Sequence, residues 1–178
     1  VTAGTSSDAG WNNVILLSRF EGVAGSTAFV DESMNTTMTA IGGASLSATH
    51  VKHGSTAVAL DGIGDGVVCA LPVSLVGRTD FTAECWFYLS GYSGGTQIIM
   101  GSWEGSAGLS WNMCLTGTSA RLYSEITTSG AYNTAVTLGN GGTPVVSVGV
   151  WHHAALTKQG NTYRLFLDGV LIGTATQA

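Results

Sequence analysis

The sequence predicts an all-β protein built as an antiparallel sandwich, and three observations carry that prediction. From Trp151 to Gly173 three runs of β-formers are separated by Lys158-Gln159-Gly160-Asn161 and by Asp168-Gly169. Asp-Gly between apolar runs signals a tight hairpin, because the turn needs positive φ and glycine supplies it cheaply. Lys-Gln-Gly-Asn does the same with a longer loop, so the segment reads as an antiparallel meander. Second, short apolar runs recur at hairpin spacing along the chain, and no amphipathic helix of convincing length interrupts them. Third, 26 Gly against 2 Pro, with 44% hydrophobic and 10% charged residues, suits an ordered Ser/Thr/Gly-rich β protein rather than a disordered one.

The 178 residues make one domain over 11–178, preceded by a small polar arm or linker over 1–10. A chain of this size buries roughly 70% of its unfolded surface. A net charge of -5 and a pI near 5.1 argue against a nucleic-acid partner. The lack of a long apolar run argues against a membrane span. Cys69, Cys85 and Cys114 are odd in number, lack metal-ligand spacing and each lie in an apolar run. Buried free thiols are expected, and they fit manufacture in a reducing cytosol. Val1 opens the chain without a basic and then apolar leader pattern, so no signal peptide is visible.

In order, the expected strands are Val14–Phe20, apolar on both faces at Ile15-Leu16-Leu17, then Ala40–Leu46, Ala57–Leu60 and Val67–Leu71. Phe81–Leu89, Ile98–Met100, Leu109–Leu115, Leu122–Ile126, Val136–Leu138 and Val145–Val150 follow, before the meander. His50-Val-Lys-His53-Gly54, Asp61-Gly-Ile-Gly-Asp-Gly66, Ser129-Gly-Ala and Gly139-Asn-Gly-Gly142 supply turns. Strand alternation places Phe81, Ala83, Cys85, Phe87 and Leu89 on one face, the core, and Thr82, Glu84, Trp86 and Tyr88 on the other.

Four stretches also carry a resemblance, in the same order throughout. They are Trp11–Gly22, Ala59-Leu-Asp-Gly-Ile-Gly-Asp65, Asp80-Phe-Thr-Ala-Glu-Cys-Trp-Phe87, and Trp151-His-His-Ala-Ala-Leu with Tyr163-Arg-Leu-Phe-Leu-Asp-Gly169. Together they resemble laminin-G-like, concanavalin A-like jelly-roll domains, and the opening resembles the version common in bacteriophage structural proteins. The resemblance implies a jelly-roll β-sandwich. It also implies that His153, the second of the pair, sits inward beside Trp151 as a hydrogen-bonded core histidine. Domains of this kind continue past the last hairpin into strands that close the sandwich. The sequence stops at Gly173-Thr-Ala-Thr-Gln-Ala178 without them, so the expectation is that the closing strands were cut away, are supplied by a neighbouring subunit or are absent from an abbreviated fold, and that the open edge is covered in the assembled protein.

Asp31-Glu-Ser-Met-Asn35 occupies the place of the family's Asp-x-Ser-Gly-Asn loop, with Met34 where glycine is usual. Its hard oxygens suit Ca²⁺, and Asp31 and Asn35 could share an ion with Asp61 and Asp65; the alternative is that both loops are side-chain-capped turns. On the polar face of Phe81–Leu89, the trio Glu84, Trp86 and Tyr88, with Trp103 nearby in sequence, could line a sugar groove; the alternative is that a loop or sheet covers them. His50 and His53 read as exposed loop residues rather than ligands. Gly91-Tyr-Ser-Gly-Gly95 matches a nucleophile elbow, but an elbow needs a following helix and the next run reads as a strand. Glycosidases of this superfamily need two carboxylates flanking one bond, and the position two residues after Glu84 is Trp86.

A non-enzymatic role is therefore expected. The first expectation is a bacteriophage virion protein, made in the host cytoplasm. It would serve as head decoration or as a tail or fibre component, and bind other virion subunits or copies of itself as a homo-oligomer. The alternative is a carbohydrate-binding adhesion module, with or without calcium at its loops, on a secreted or cell-surface protein.

Overall fold

The computed structural model describes residues 10–72, 75, 78–102, 110–127, 135–139 and 144–177. Residues 1–73 and 74–178 form two compact units. All paired strands are antiparallel, and the one helical element among the described residues is a single 3-10 turn at Trp11–Asn13.

The first unit is built on β1 (Met38–Ile41), β2 (Ser45–Ser47), β3 (Ala57–Ala59) and β4 (Gly66–Cys69). β1 pairs with β4, Met38 opposite Cys69 and Ile41 opposite Gly66, while β2 pairs with β3. Its core gathers Phe29, Ala44 and Leu46, with Phe20, Met38, Ala40, Val58 and Val67 packed around them. Phe20 and Phe29 meet edge to face at 5.7 Å.

Two expected strands of this unit take another form. Val14–Phe20 is no ladder strand. The Leu17 amide donates to Asp31 Oδ1 at 3.0 Å, Glu32 N donates to the Leu17 carbonyl at 2.7 Å, and Phe20 turns to φ 53. A side chain thus takes a bond that a strand would give to its neighbour's backbone. Ala40–Leu46 splits into β1 and β2, because Gly42 stands at φ +64. A Cβ there would overlap Asp65 Oδ1 and lie 2.8 Å from the Gly64 carbonyl oxygen, so only glycine makes this corner.

The second unit holds β5 (Asp80–Tyr88), β6 (Gln97–Ser102), β7 (Trp111–Thr116), β8 (Arg121–Ile126), β9 (Val136–Leu138), β10 (Trp151–Gln159), β11 (Thr162–Leu167) and β12 (Val170–Thr176). They form two four-stranded sheets, β12-β11-β10-β5 and β6-β7-β8-β9. The sheets face one another. Phe81 lies 6.1 Å from Trp111 and 6.3 Å from Tyr163, and a Cβ on Gly173 would come within 2.7 Å of the Gly139 nitrogen. Between them lie Ala83, Ala154, Leu156, Tyr163 and Leu165 from one sheet and Trp111, Met113, Leu115, Leu122 and Leu138 from the other, all buried.

Turn chemistry sets the meander. Asp168 at φ 50 and Gly169 at φ 79 make a two-residue hairpin of the I′ kind between β11 and β12. The other loop is tighter than expected. β10 runs on to Gln159, which pairs with Thr162, so Gly160 (φ 57) and Asn161 alone make the turn. The Gly160 amide is anchored on Asp80 Oδ1 at 3.0 Å. Val145–Val150 is not a strand but a connection with partners on two sides: Val146 N donates to Ala120 O at 2.7 Å and Gly149 N to Leu89 O at 2.9 Å. The expected turn at Ser129, and Leu109 at the start of its expected strand, lie outside the described residues.

Candidate functional site

Strand alternation and register together build a band of aromatic side chains on the outward face of β5 and β10. Tyr88 stands opposite Trp151 and Trp86 opposite His153, while Glu84 stands opposite Ala155. The Tyr88 and Trp151 rings are 5.6 Å apart and tilted by 57°; those of Trp86 and His153 are 5.0 Å apart and tilted by 51°. Across β11 the band continues through Phe166, opposite Ala155, to Leu171 on β12. Trp86 remains 45% exposed and Leu171 50%. Glu84 Oε2 sits 3.7 Å from His153 Nε2, beyond hydrogen-bond length, and its side chain is 59% exposed. The structure thus brings Glu84, Trp86 and Tyr88 onto one face. Trp103 lies outside the described residues.

Sequence reasoning missed the other half of this band, Trp151 and His153, and reversed the histidine pair. His152, not His153, is the buried one. Its Nδ1 lies 2.7 Å from Asp168 Oδ2 and its Nε2 3.2 Å from the Ser147 carbonyl oxygen. The parity was available in the sequence. Ala154 and Leu156 are core residues, and a period of two puts His152 with them and His153 with Trp151 on the other side. Asp168 also accepts from the His153 amide at 2.8 Å, so the hairpin tip is tied to β10 through both of its carboxylate oxygens. Burial pushes the Asp168 carboxyl upward, but the His153 amide and the His152 ring outweigh it and hold it below the ordinary carboxylate range.

The four calcium candidates fall into two pairs. Asp31 Oδ1 accepts from Leu17 N, Ser33 N and Ser33 Oγ, and Oδ2 accepts from Asn35 N and Thr36 N, at 2.7–3.0 Å. The Asn35 side-chain amide donates to the Val14 carbonyl at 3.0 Å and to Ser33 Oγ at 3.1 Å. Asp65 accepts from the amides of Asp61 and Gly43, and Asp61 Oδ1 from the Ile63 amide at 2.7 Å. The first pair lies beyond the Met38–Cys69 end of the β1–β4 ladder and the second beyond the Ile41–Gly66 end. That separates them by at least about 10 Å at the strand rise of ~3.3 Å per residue. The structure does not bring the four together, and among the described residues no group of three or more His, Cys, Asp or Glu could hold a metal ion.

Gly91–Gly95 joins β5 to β6, strand to strand, so the elbow geometry is not formed. Tyr92 instead donates its hydroxyl to the Gly95 carbonyl. His50 and His53 are exposed on their loop. All three cysteines are free, and burial pushes the Cys85 and Cys114 thiols up to about 12. Among the described residues no helix is long and apolar enough to cross a membrane.

Register and topology together define an antiparallel β-sandwich domain. Residues 61–178, more than half of the chain, match the laminin-G-type family described as the concanavalin A-like lectin/glucanases superfamily, and the chain belongs to that family. Comparison with curated proteins gives no match, and comparison with solved structures gives none.

Proposed function

We propose that the chain is a non-enzymatic binding module of a bacteriophage virion, in the head decoration or in the tail or fibre, acting through contacts with other virion subunits or with copies of itself. The observation that carries the non-enzymatic part is how the carboxylates are used. Glu21, Asp31, Asp61, Asp65, Asp80 and Asp168 all accept hydrogen bonds from backbone amides and hold loops in place. Glu32 pairs with Arg19, and Glu125 accepts from Asn112. A glucanase needs an acid and a second carboxylate on either side of one bond. Among the described residues, Glu84 faces Ala155 across the ladder and has the His153 ring at 3.7 Å. The phage-type opening and the low charge support the virion setting.

Counting this chain against the major capsid protein in purified particles tests the proposal. A fixed simple ratio means head decoration, and a few copies per particle mean tail or fibre. Absence from particles refutes the virion role. A second reading, a lectin-like adhesion module on a secreted or cell-surface protein, is favoured by one observation: the exposed Trp86 ring has an outward carboxylate and an imidazole beside it.

A further inference from the structure

We infer that the outward face of the β12-β11-β10-β5 sheet pairs with the same face of a second copy, across a two-fold axis that runs along β10. The inference rests on the self-association arm of the binding-module reading and names its surface and its symmetry.

This is the open face of the second unit. On the opposite sheet the outer side of β7 and β8 carries Asn112, Cys114 and Tyr123, which are only 1%, 0% and 8% exposed. On the first sheet Trp86 and Leu171 keep 45% and 50% of their surface in solvent. Register divides the face in two along the strands. Tyr88, Trp151, Trp86, Phe166 and Leu171 make an apolar half, and Thr82, Thr157, Arg164 and Thr174 a polar half. A contiguous apolar patch with a polar border marks an interaction surface.

Two charges say what covers it. Glu84 stands on β5 and Arg164 on β11, one strand to either side of β10. Glu84 is level with Ala155 and Phe166, whereas Arg164 is level with Thr157 and Thr82, two residues along. Within one copy the two positions are roughly 12 Å apart at ordinary strand spacing and rise. Among the described residues Arg164 has no acid within ion-pair distance. A two-fold rotation about β10 lays β5 of one copy over β11 of the other and keeps the level along the strands. Apolar half therefore meets apolar half. Glu84 of each copy comes over β11 of the other, about 7 Å along the strand from Arg164. Two long side chains span that distance, and the symmetry makes the pair twice. Trp86 comes equally close to Phe166 of the other copy.

Along the axis lie His153, Ala155 and Thr157, with no long side chain to hold two sheets beyond their usual separation of ~10 Å. Strand spacings of ~4.8 Å and rises of ~3.3 Å give the face roughly 500 Å² in projection, and side-chain relief adds to it, so a pair of faces reaches the ~1,000 Å² in total that a specific interface needs.

The test is sedimentation equilibrium of the whole chain at rising concentration, alongside Glu84→Arg, Arg164→Glu and a mixture of the two variants. Each variant alone sets like charges against each other at both contacts, whereas one copy of each restores opposite charges at both. The expected result is a concentration-dependent dimer of the parent, weakened roughly tenfold or more in either variant and recovered in the mixture. A thermal melt checks folding. If either variant is unfolded, Thr157→Cys carries the test, because a short bis-maleimide should join two copies at the axis and leave the parent unjoined. A parent that stays monomeric at every concentration overturns the proposal and leaves the face to another virion subunit or a glycan. A dimer that both variants leave intact, or that the mixture fails to recover, overturns it too. A chain counted in particles but monomeric in solution loses this interface alone; a dimer absent from particles keeps the interface and loses the virion setting.

Discussion

Replacing Asp31 by alanine probes the loop on which the first unit depends. The carboxylate is 6% exposed and accepts five hydrogen bonds, from Leu17 N, Ser33 N, Ser33 Oγ, Asn35 N and Thr36 N. Hydrogen bonds to a charged group are worth ~1.5–3 kcal/mol each, but the donors here are partly buried and regain water once the loop loosens, so the five do not add. A net loss of about 3–4 kcal/mol is expected, the size usual for breaking a buried network. At ~2–4 °C per kcal/mol for a chain of this length, the chain should melt roughly 6–16 °C lower.

Asp31→Asn should recover only part of this, because its NH₂ group would face the Asn35 and Thr36 amides, donor against donor. Urea unfolding gives the energy, and amide hydrogen exchange at Leu17, Ser33, Asn35 and Thr36 gives the location. A midpoint within about 1 kcal/mol of the parent, with those four amides still protected, would refute the reasoning.

The same carboxylate sets a pH dependence. Burial pushes Asp31 upward and is the largest single influence, but the Leu17 amide, the Ser33 hydroxyl and amide, and the Thr36 amide together outweigh it and depress the pKa. A depressed carboxyl contributes fully above its unfolded value of about 3.9. The contribution is lost as pH falls through the lower native value. The acid limb of unfolding below about pH 4 should therefore be shallower in Asp31→Ala than in the parent.

Met34 stands at φ 60 with its side chain largely in solvent, so Met34→Gly should raise stability by about 1 kcal/mol, as relief of left-handed strain outweighs the added chain entropy; an unchanged or lower urea midpoint contradicts this. Asp168→Asn should destabilise the second unit by about 1–2 kcal/mol through loss of the charged bond to His152, with raised exchange at the His153 amide as the local readout. Cys85 and Cys114, pushed up to about 12 by burial, should resist thiol reagents at pH 8 until the chain unfolds; rapid labelling of the native protein would show those thiols to be exposed. A melt with millimolar calcium should coincide with one in chelator, because the Asp31 and Asp65 oxygens already accept amide protons; an upward shift would mean that these loops reopen to hold an ion.

What the sequence conveyed best was turn chemistry. Asp168-Gly169 and Gly160-Asn161 fixed the meander, since positive φ is cheap only for a few residues and the pairing register follows from the turn. The alternation along β5 likewise placed Glu84, Trp86 and Tyr88 on one face. Apolar content was a poorer guide. Ile15-Leu16-Leu17 and Val145-Val146 are hydrophobic enough for strands, but hydrophobicity reports burial and not the destination of the backbone hydrogen bonds. Asp31 takes the first segment's amide, and Ala120 and Leu89 divide those of the second. The aromatic band was half legible. One strand's alternation names its own face, whereas Trp151 and His153 join it only through the pairing of β10 with β5, a long-range register that no local pattern states.

Asp-, Ser- and Gly-rich loops invite a ligand reading because their oxygens and open backbone are what cations and phosphates need. In this chain the same chemistry is turned inward. Strands of three and four residues in the first unit supply few ladder bonds, so the connections between them need other acceptors, and a carboxylate that takes two amides (Asp65) or four (Asp31) provides them. Asp31 ties Leu17 to the 33–36 turn, Asp65 ties Gly43 to Asp61, and Asp168 ties a hairpin tip to β10. Each is both an architectural clasp and an explanation of why a metal-like sequence pattern yields no metal cluster among the described residues. One carboxylate stands instead on a sheet face. There Glu84 points outward beside Trp86 and His153, where a clasp is not needed because the strand's backbone bonds are already made with β10.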